Sequence, residues 1–453
     1  MAKTRTSFFC QNCGYQSAKW VGKCPSCNEW NSFAEEVIVK EDSTKKIWQG
    51  NTRKSTPALL EDIDSSQVER FSSNNTELDR VLGGGLVPGS LVLIGGEPGI
   101  GKSTLMLQLS LKVKRKVLYV SGEESEQQIK LRAERITAPA KDNTWILSET
   151  DLDQIFQQAK LIEPELIIID SIQTLTSKSL ESVAGSVGQV RHCAGELLRY
   201  AKQTNVPVIL VGHITKDGAL AGPKVLEHMV DTVLQFEGDS RMLYRLLRTT
   251  KNRFGSTAEL GIYEMTGKGL RNVDNPSEIL ISQRDTPVSG VSIGATIEGN
   301  RPLMIEIQSL VGAAAYGTPQ RTSTGFDAKR LNMLLAVLEK RTGLKLGTQD
   351  VFVNMAGGIR VDDPAVDLAV CVAVLSSLHD ISISDKVCFA AEVGLGGEVR
   401  AVNRIENRIA EAEKLGFETI YISKYNKNLD KEYNSIKVKA FGLLPQIFGD
   451  LFG

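Results

Sequence analysis

Gly96-Glu97-Pro98-Gly99-Ile100-Gly101-Lys102-Ser103 is a complete GxxxxGK[ST] pattern, and it leaves few folds open to this chain. The apolar run Leu91–Gly95 stands directly before it, and a helical pattern opens at Ser103. A strand that runs into glycines and then into a helix makes a phosphate cradle. The glycines let backbone N–H groups close around phosphate oxygens, and the helix N-terminus adds the positive end of its dipole. Lys102 is expected to reach the β- and γ-phosphates, and the Ser103 hydroxyl to ligate Mg²⁺. With Thr104 behind them, these residues form the expected contact surface for ATP and Mg²⁺.

The other parts of a nucleotide site can be read around this loop. Short apolar runs at Val117–Ser121, Trp145–Leu147, Leu166–Asp170, Val206–Gly212 and Thr232–Phe236 read as strands. Thr104–Lys112, Ser125–Glu134 and Val190–Gln203 read as helices between them. That alternation predicts a largely parallel sheet covered on both faces, within residues 67–274. Asp170 ends its strand in a carboxylate, where it would hold the Mg²⁺ shell through water. Glu123 and Glu124 follow Val117–Ser121. Glu123 is expected to polarise the attacking water, although both glutamates also suit the first turn of the next helix. His213, at the end of Val206–Gly212, would lie beside the γ-phosphate and report its presence to the loop Ile214–Pro223. Met242–Thr249 and Ala258–Glu264 read as a hairpin around a polar loop.

Residues 1–36 are of another kind. Cys10, Cys13, Cys24 and Cys27 form two CxxC pairs with ten residues between them. Each pair sets two thiolates within reach of one tetrahedral Zn²⁺, and no βαβ pattern surrounds them as a redox pair would require. So small a unit cannot fold on apolar burial alone, so the metal would supply its folding free energy. Lys19, Trp20 and Lys23 form a basic-aromatic face that suits DNA, a protein contact or plain solvent equally. The polar stretch 37–66 reads as a linker.

The other three of the seven cysteines, Cys193, Cys371 and Cys388, are scattered in apolar surroundings, which excludes a disulfide framework. No apolar run approaches the roughly 18–20 residues of a membrane helix, and Met1–Phe9 lacks the apolar core of a signal peptide. A cytoplasmic protein without membrane contact is expected. The formal charge of −1 announces no nucleic acid, yet a local basic stripe suffices to bind it.

After Asn275-Pro276 the pattern changes to alternating strands, Val291–Glu298 and Leu303–Leu310, and to helices at Asp327–Lys340, Asp363–Leu378 and Arg404–Leu415. Residues 275–453 thus read as a separate α+β domain.

Taken together, these motifs resemble the RecA-type ATPase core. The approach Thr76-Glu-Leu-Asp79, Leu82-Gly-Gly-Gly85, Pro88-Gly-Ser90 is similar to that of RecA and KaiC relatives. The further combination with four cysteines and with Lys251-Asn252-Arg253-Phe254-Gly255 resembles the bacterial RadA (Sms) family of DNA repair proteins, over essentially the whole chain. The resemblance implies a zinc finger at 1–36, a RecA-like ATPase at 67–274 and a Lon-protease-like domain at 275–453. It also implies that the Lys251–Gly255 motif couples ATP to DNA, with Lys251 and Arg253 carrying most of the effect. Either cation could meet DNA phosphates or reach a neighbouring subunit's γ-phosphate.

In active Lon proteases a serine follows a proline at a helix start, and a lysine on a later helix activates it. Here Asp363-Pro364-Ala365 and Val402–Arg408 match those sites, with Ala365 for the serine and Glu406 for the lysine. Neither can replace what is missing, so proteolysis is rejected. Lys329, Arg330, Lys340, Arg341 and Lys345 could instead line a basic face for duplex DNA. The expected function is a DNA-dependent ATPase that moves as a hexameric ring on single-stranded and branched DNA. By resemblance it drives branch migration beside RecA. The competing reading is a KaiC-like switch acting on a protein partner.

Overall fold

Four apolar runs explain the central sheet of residues 67–274. Strands β4 (Leu91–Gly95), β5 (Val117–Ser121) and β8 (Val208–Val211) are buried throughout, and β7 (Leu166–Asp170) is buried up to its last residue. Strands buried on both faces are apolar along their length, as these are up to the terminal Ser121 of β5 and Asp170 of β7. The structure, a computed structural model, describes residues 4–10, 15–39, 59, 69–136, 143–212, 225–238, 244–273, 275–282, 284, 286–314, 317–427, 433 and 435–453. It forms two compact units, Met1–Val273 and Asp274–Gly453. Among the described residues no helix is long and apolar enough to cross a membrane.

In the first unit a three-stranded ribbon comes first, with β1 (Thr4–Cys10) between β2 (Gln16–Ser17) and β3 (Phe33–Val39). Helix α1 (Thr76–Leu82) follows, capped by Asn75, whose Oδ1 accepts from Leu78 N at 3.0 Å. Then β4, α2 (Lys102–Lys112), β5, α3 (Glu126–Arg135), β6 (Thr144–Ser148), α4 (Leu152–Ile162), β7, α5 (Val187–Thr204), β8 and α6 (Val225–Met229) alternate. The unit closes with β9 (Thr232–Glu237), β10 (Tyr244–Asn252), β11 (Leu260–Thr266) and β12 (Gly269–Asn272). The nine strands lie in the order β12-β11-β10-β9-β4-β8-β7-β5-β6. The run from β9 to β6 is parallel, and β10 to β12 are antiparallel.

Alternate residues of the central strands feed two cores. Val92, Ile94, Tyr119 and Ile168 pack with Leu105, Met106 and Leu109 of α2. Leu91, Leu93, Leu118 and Ile167 pack with Ile155 of α4 and Leu197 of α5 on the other face. The alternation therefore builds the layered sheet that the sequence predicts. Helices α1 and α4 lie outside the expected set, although both carry ordinary caps; Asp151 caps α4 by accepting from Asp153 N.

The second unit runs α7 (Pro276–Leu280), β13 (Val291–Glu298), β14 (Arg301–Ala313), β15 (Arg321–Thr324), α8 (Ala328–Thr342), β16 (Gln349–Met355) and α9 (Asp367–His379). It continues with β17 (Val387–Ala390), β18 (Glu392–Val393), β19 (Val399–Arg400), α10 (Ile405–Lys414), β20 (Thr419–Ser423), β21 (Lys437–Phe441) and α11 (Leu444–Phe452). A mixed sheet, β15-β16-β14-β13-β17-β20-β21, forms its frame. Asp327 caps α8 through Arg330 N at 2.7 Å. Helix α9 is buried from Asp367 to Ser376, which explains an apolar run with no polar stripe. Before it, Pro364–Val366 make a separate 3₁₀ turn capped by Asp363, so the expected single helix from Asp363 is two pieces.

Candidate active site

Strand register brings the nucleotide motifs to one edge of the sheet. Ile94 pairs with Val211, Val211 with Asp170, and Asp170 with Ser121. The phosphate loop, Asp170 and the Gly122–Glu124 turn therefore all leave the sheet at the carboxyl ends of neighbouring parallel strands, where open α/β sheets bind ligands. In the loop, Gly99 and Gly101 have φ of 77° and 116°, which L side chains rarely adopt. At Gly96 an added Cβ would stand 2.9 Å from Phe236 Cβ, so the closely packed turn excludes one.

Lys102 opens α2 and is buried, and its Nζ donates to Gly96 O at 2.8 Å and to Glu97 O at 2.9 Å. Burial pushes its ammonium pKa down, while Asp170, Glu123 and Glu97 pull it back up. Those three carboxylates are thus close enough to act on the same charge. Ser103 and Thr104 follow, both half-buried. Asp170 accepts from Tyr119 Oη at 2.7 Å; burial, then the Asp170 charge, hold that phenol well above its ordinary pKa.

The two adjacent glutamates have different surroundings. Glu123 Oε1 accepts from Ser171 Oγ at 2.8 Å, beside Asp170. Glu124 turns instead to Arg132 of α3, with which it is ion-paired, and its N–H donates to Ser121 Oγ at 2.9 Å. Thr104, Arg132, Arg135, Met265 and Gly269 line a cavity of about 170 Å³ beside the start of α2. Sequence reasoning missed this cavity, and also Tyr119 and Ser171. Its wall comes from α3 and the β11–β12 hairpin, and no spacing rule ties those to the loop. His213 and Ile214–Pro223 lie outside the described residues.

The Lys251–Gly255 motif lies at the other end of the sheet. Lys251 pairs with Val233 and Asn252 with Thr232, at the start of β9, and Arg253 N donates to Asp231 O at 3.1 Å. The expected turn is in part strand, because Lys251 and Asn252 still belong to β10. Lys251 Nζ donates to the carbonyls of Glu227 at 2.6 Å and Val230 at 2.8 Å, closing the end of α6. Burial and the neighbouring Arg253 charge lower its pKa. Arg253 is 57% exposed, with Nη1 3.6 Å from the buried Asp231 carboxylate, which also holds Lys202. Asn252 binds Phe254 N and Leu82 O, and Gly255 rests against Gly83 so closely that a Cβ on either would stand 3.1–3.2 Å from the other's Cα. The glycine-rich approach and the Lys251–Gly255 motif are one packed structure.

In the ribbon, the Sγ atoms of Cys10, Cys24 and Cys27 lie within 4.8 Å of one another, with Cys10 and Cys27 at 3.6 Å. Thiolates about 2.3 Å from a tetrahedral Zn²⁺ stand roughly 3.8 Å apart, so the donors fit that ion. Cys13 lies outside the described residues.

In the second unit Ala365 is fully buried, and its N–H donates to Asp363 Oδ1 at 3.1 Å. Glu406 is exposed. Arg408, 3% exposed, donates to Asp363 Oδ2 and Ala295 O, both at 2.7 Å. Arg330 is bound to the buried Asp367 and lies 3.7 Å from Glu392. It is thus withdrawn from the basic face expected on α8, whereas Lys329, Lys340, Arg341 and Lys345 are exposed.

The chain is similar over almost its full length to several curated proteins. It is 48% identical to the DNA repair protein RadA of Listeria monocytogenes over 97% of each chain. It is 49% identical to RadA of Halalkalibacterium halodurans over 95% of this chain and 94% of that one. The Bacillus subtilis RadA is 48% identical over 94% of each. This chain belongs to the RadA family.

Three family models match within it: an AAA domain at residues 55–219, a rubredoxin metal-binding domain at 8–35 and the ChlI subunit of Mg-chelatase at 317–426. Among solved structures, a KaiC-like protein of Pyrococcus horikoshii aligns with 46% of this chain and 99% of its own, at 19% identity and TM-score 0.38. A RadB recombinase aligns with 45% and 99%, at 22% identity and TM-score 0.36. The family models and the layered sheet bear out the expected fold class. This member of the RadA family has a RecA-like α/β core, an N-terminal zinc ribbon and a C-terminal α+β unit of the Lon-protease type. The AAA domain implies ATP with Mg²⁺, and the ribbon with its cysteine cluster implies zinc.

Proposed function

We propose that this chain is a DNA-dependent ATPase of recombinational repair, working on single-stranded and branched DNA as a ring of identical subunits, most simply a hexamer. One observation carries the reading: Lys102, Asp170 and Glu123 converge at a single sheet edge in a chain of the RadA family. In this reading Gly96–Thr104 hold the ATP phosphates. Lys102 leaves the loop carbonyls for the β- and γ-phosphates, and Ser103 and Asp170 hold Mg²⁺. Glu123 polarises the attacking water; its hydrogen bond to Ser171, beside Asp170, and its action on the Lys102 charge support this choice. The adenine side of the nucleotide takes the cavity beside Arg132, Arg135 and Met265. Cys10, Cys13, Cys24 and Cys27 hold zinc. His213 senses the γ-phosphate, and branch migration beside RecA is the expected task.

Arg253 serves the next subunit's nucleotide or the DNA. Within one chain Arg253 stands level with Leu91, five residues before the phosphate loop, or roughly 16 Å at 3.3 Å per residue. That separation favours action across a subunit boundary. Lys251, already bound to three backbone carbonyls, supports Arg253 from behind. The domains act as divided above, at 1–36, 67–274 and 275–453, and the last is a scaffold without protease chemistry.

The decisive experiment is ATP hydrolysis with and without single-stranded DNA at two salt concentrations. Several-fold stimulation that falls as salt rises supports a DNA motor. Turnover indifferent to DNA at low salt would replace it with a nucleotide switch acting on a protein.

A further inference from the structure

The zinc ribbon exposes two indoles that its own folding does not use. Trp20 is 54% exposed and Trp30 67%. Both rings lie beside Gly22, where an added Cβ would stand 3.7 Å from the Trp20 ring and 3.9 Å from the Trp30 ring. The backbone there is pinned: Asn31 N donates to Gly22 O at 2.8 Å, and Cys24 N to Glu29 O at 2.8 Å. Lys23 and Trp30 are bridge partners, and the Lys23 ammonium lies 5.7 Å from the Trp30 centroid. Cys24 and Cys27 sit inside this turn, so the metal that joins them also fixes where the rings stand.

We propose that Trp20 and Trp30 form a base-stacking platform for single-stranded DNA. The proposal rests on the reading of the chain as a DNA-dependent enzyme and names where the strand is held. Exposed indoles on a fixed turn are what sequence-tolerant stacking requires, since every base has a π-face. The residues around them, Lys19, Lys23, Glu29 and Asn31, are all exposed and polar. A protein hot spot is ringed by contacts that exclude water, whereas these polar side chains leave the two rings open to solvent. Lys19 and Lys23 can meet the phosphates beside each stacked base, while Glu29 and Glu35 offset their charge. Stacking, not charge, therefore carries the affinity, so the contribution of the rings should change little with salt.

The test uses the full-length, zinc-loaded protein and two labelled probes, an oligo(dT) strand and an abasic strand of the same length. Replacing both residues, W20A/W30A, should weaken oligo(dT) binding by about ten-fold or more, by a similar factor at low and high salt. The W20F/W30F variant should recover most of the loss. On the abasic strand the parent and W20A/W30A should bind alike. Zinc content measured on each variant shows that the ribbon is folded. If zinc-loaded W20A/W30A binds oligo(dT) as tightly as the parent, the platform is refuted while the DNA motor stands; loss of a protein interaction in that variant would reassign the rings to that protein. A parent protein that binds neither strand refutes both.

Discussion

Glu123 and Glu124 are chemically identical neighbours with different partners, and the proposed function gives them different work. Glu124 is tied to Arg132, while Glu123 faces Ser171 and the Lys102 charge. Glu123→Gln should therefore keep ATP binding and lower turnover by about a hundred-fold, whereas Glu124→Gln should lower helix stability and leave most turnover intact. Nucleotide binding and phosphate release, measured on both variants, separate the roles. Lys102→Ala should abolish turnover, because no other cation of the loop can follow the γ-phosphate; near-parental phosphate release would remove the assignment. From the sequence alone the Glu123 choice rested on position. In the structure Arg132, eight residues further along, turns back from α3 onto Glu124.

Among the elements, the α9–α10 region is held by an ion pair between Asp363 and Arg408. Arg408 is buried and Asp363 half-buried, and Arg408 also holds Ala295 O. Removing one partner of such a pair leaves an uncompensated buried charge, which costs about 3–5 kcal/mol. Arg408→Ala should destabilise the second unit by that order in denaturant titration, and adding Asp363→Ala should recover part of it. At the other end of the chain, Cys24→Ser should lower zinc content from one ion per chain and loosen the Gly22–Asn31 turn. Its readout is metal analysis and the exposure of Trp20 and Trp30 to a fluorescence quencher.

For the whole molecule, Arg253 and its own phosphate loop stand at opposite ends of the parallel strands, so the proposed role of Arg253 predicts a dependence on assembly. If Arg253 serves a neighbour, Arg253→Ala and Lys102→Ala should each be inactive alone. Mixing the two subunits should restore some hydrolysis, because certain interfaces then pair an intact loop with an intact Arg253. A mixture as inactive as its parts would place the arginine's role elsewhere. Lys251→Ala should reduce DNA stimulation by loosening α6, and a fully stimulated variant would dismiss that coupling.

The local signals could be read early because each depends on neighbours in sequence. GxxxxGK[ST], the CxxC pairs, the all-apolar strands and the Asp327 cap are short-range patterns dictated by backbone geometry and side-chain type. Ala365 and Glu406 are likewise identities read directly from the sequence. What no spacing carried was the meeting of distant segments. Gly83 against Gly255, Arg132 beside the β11–β12 hairpin, and Arg330 drawn onto buried Asp367 all arise from sheet order and helix packing. Trp30 belongs with them. It stands ten residues from Trp20 in the chain, and only the folded turn around Cys24 and Cys27 brings both rings beside one glycine.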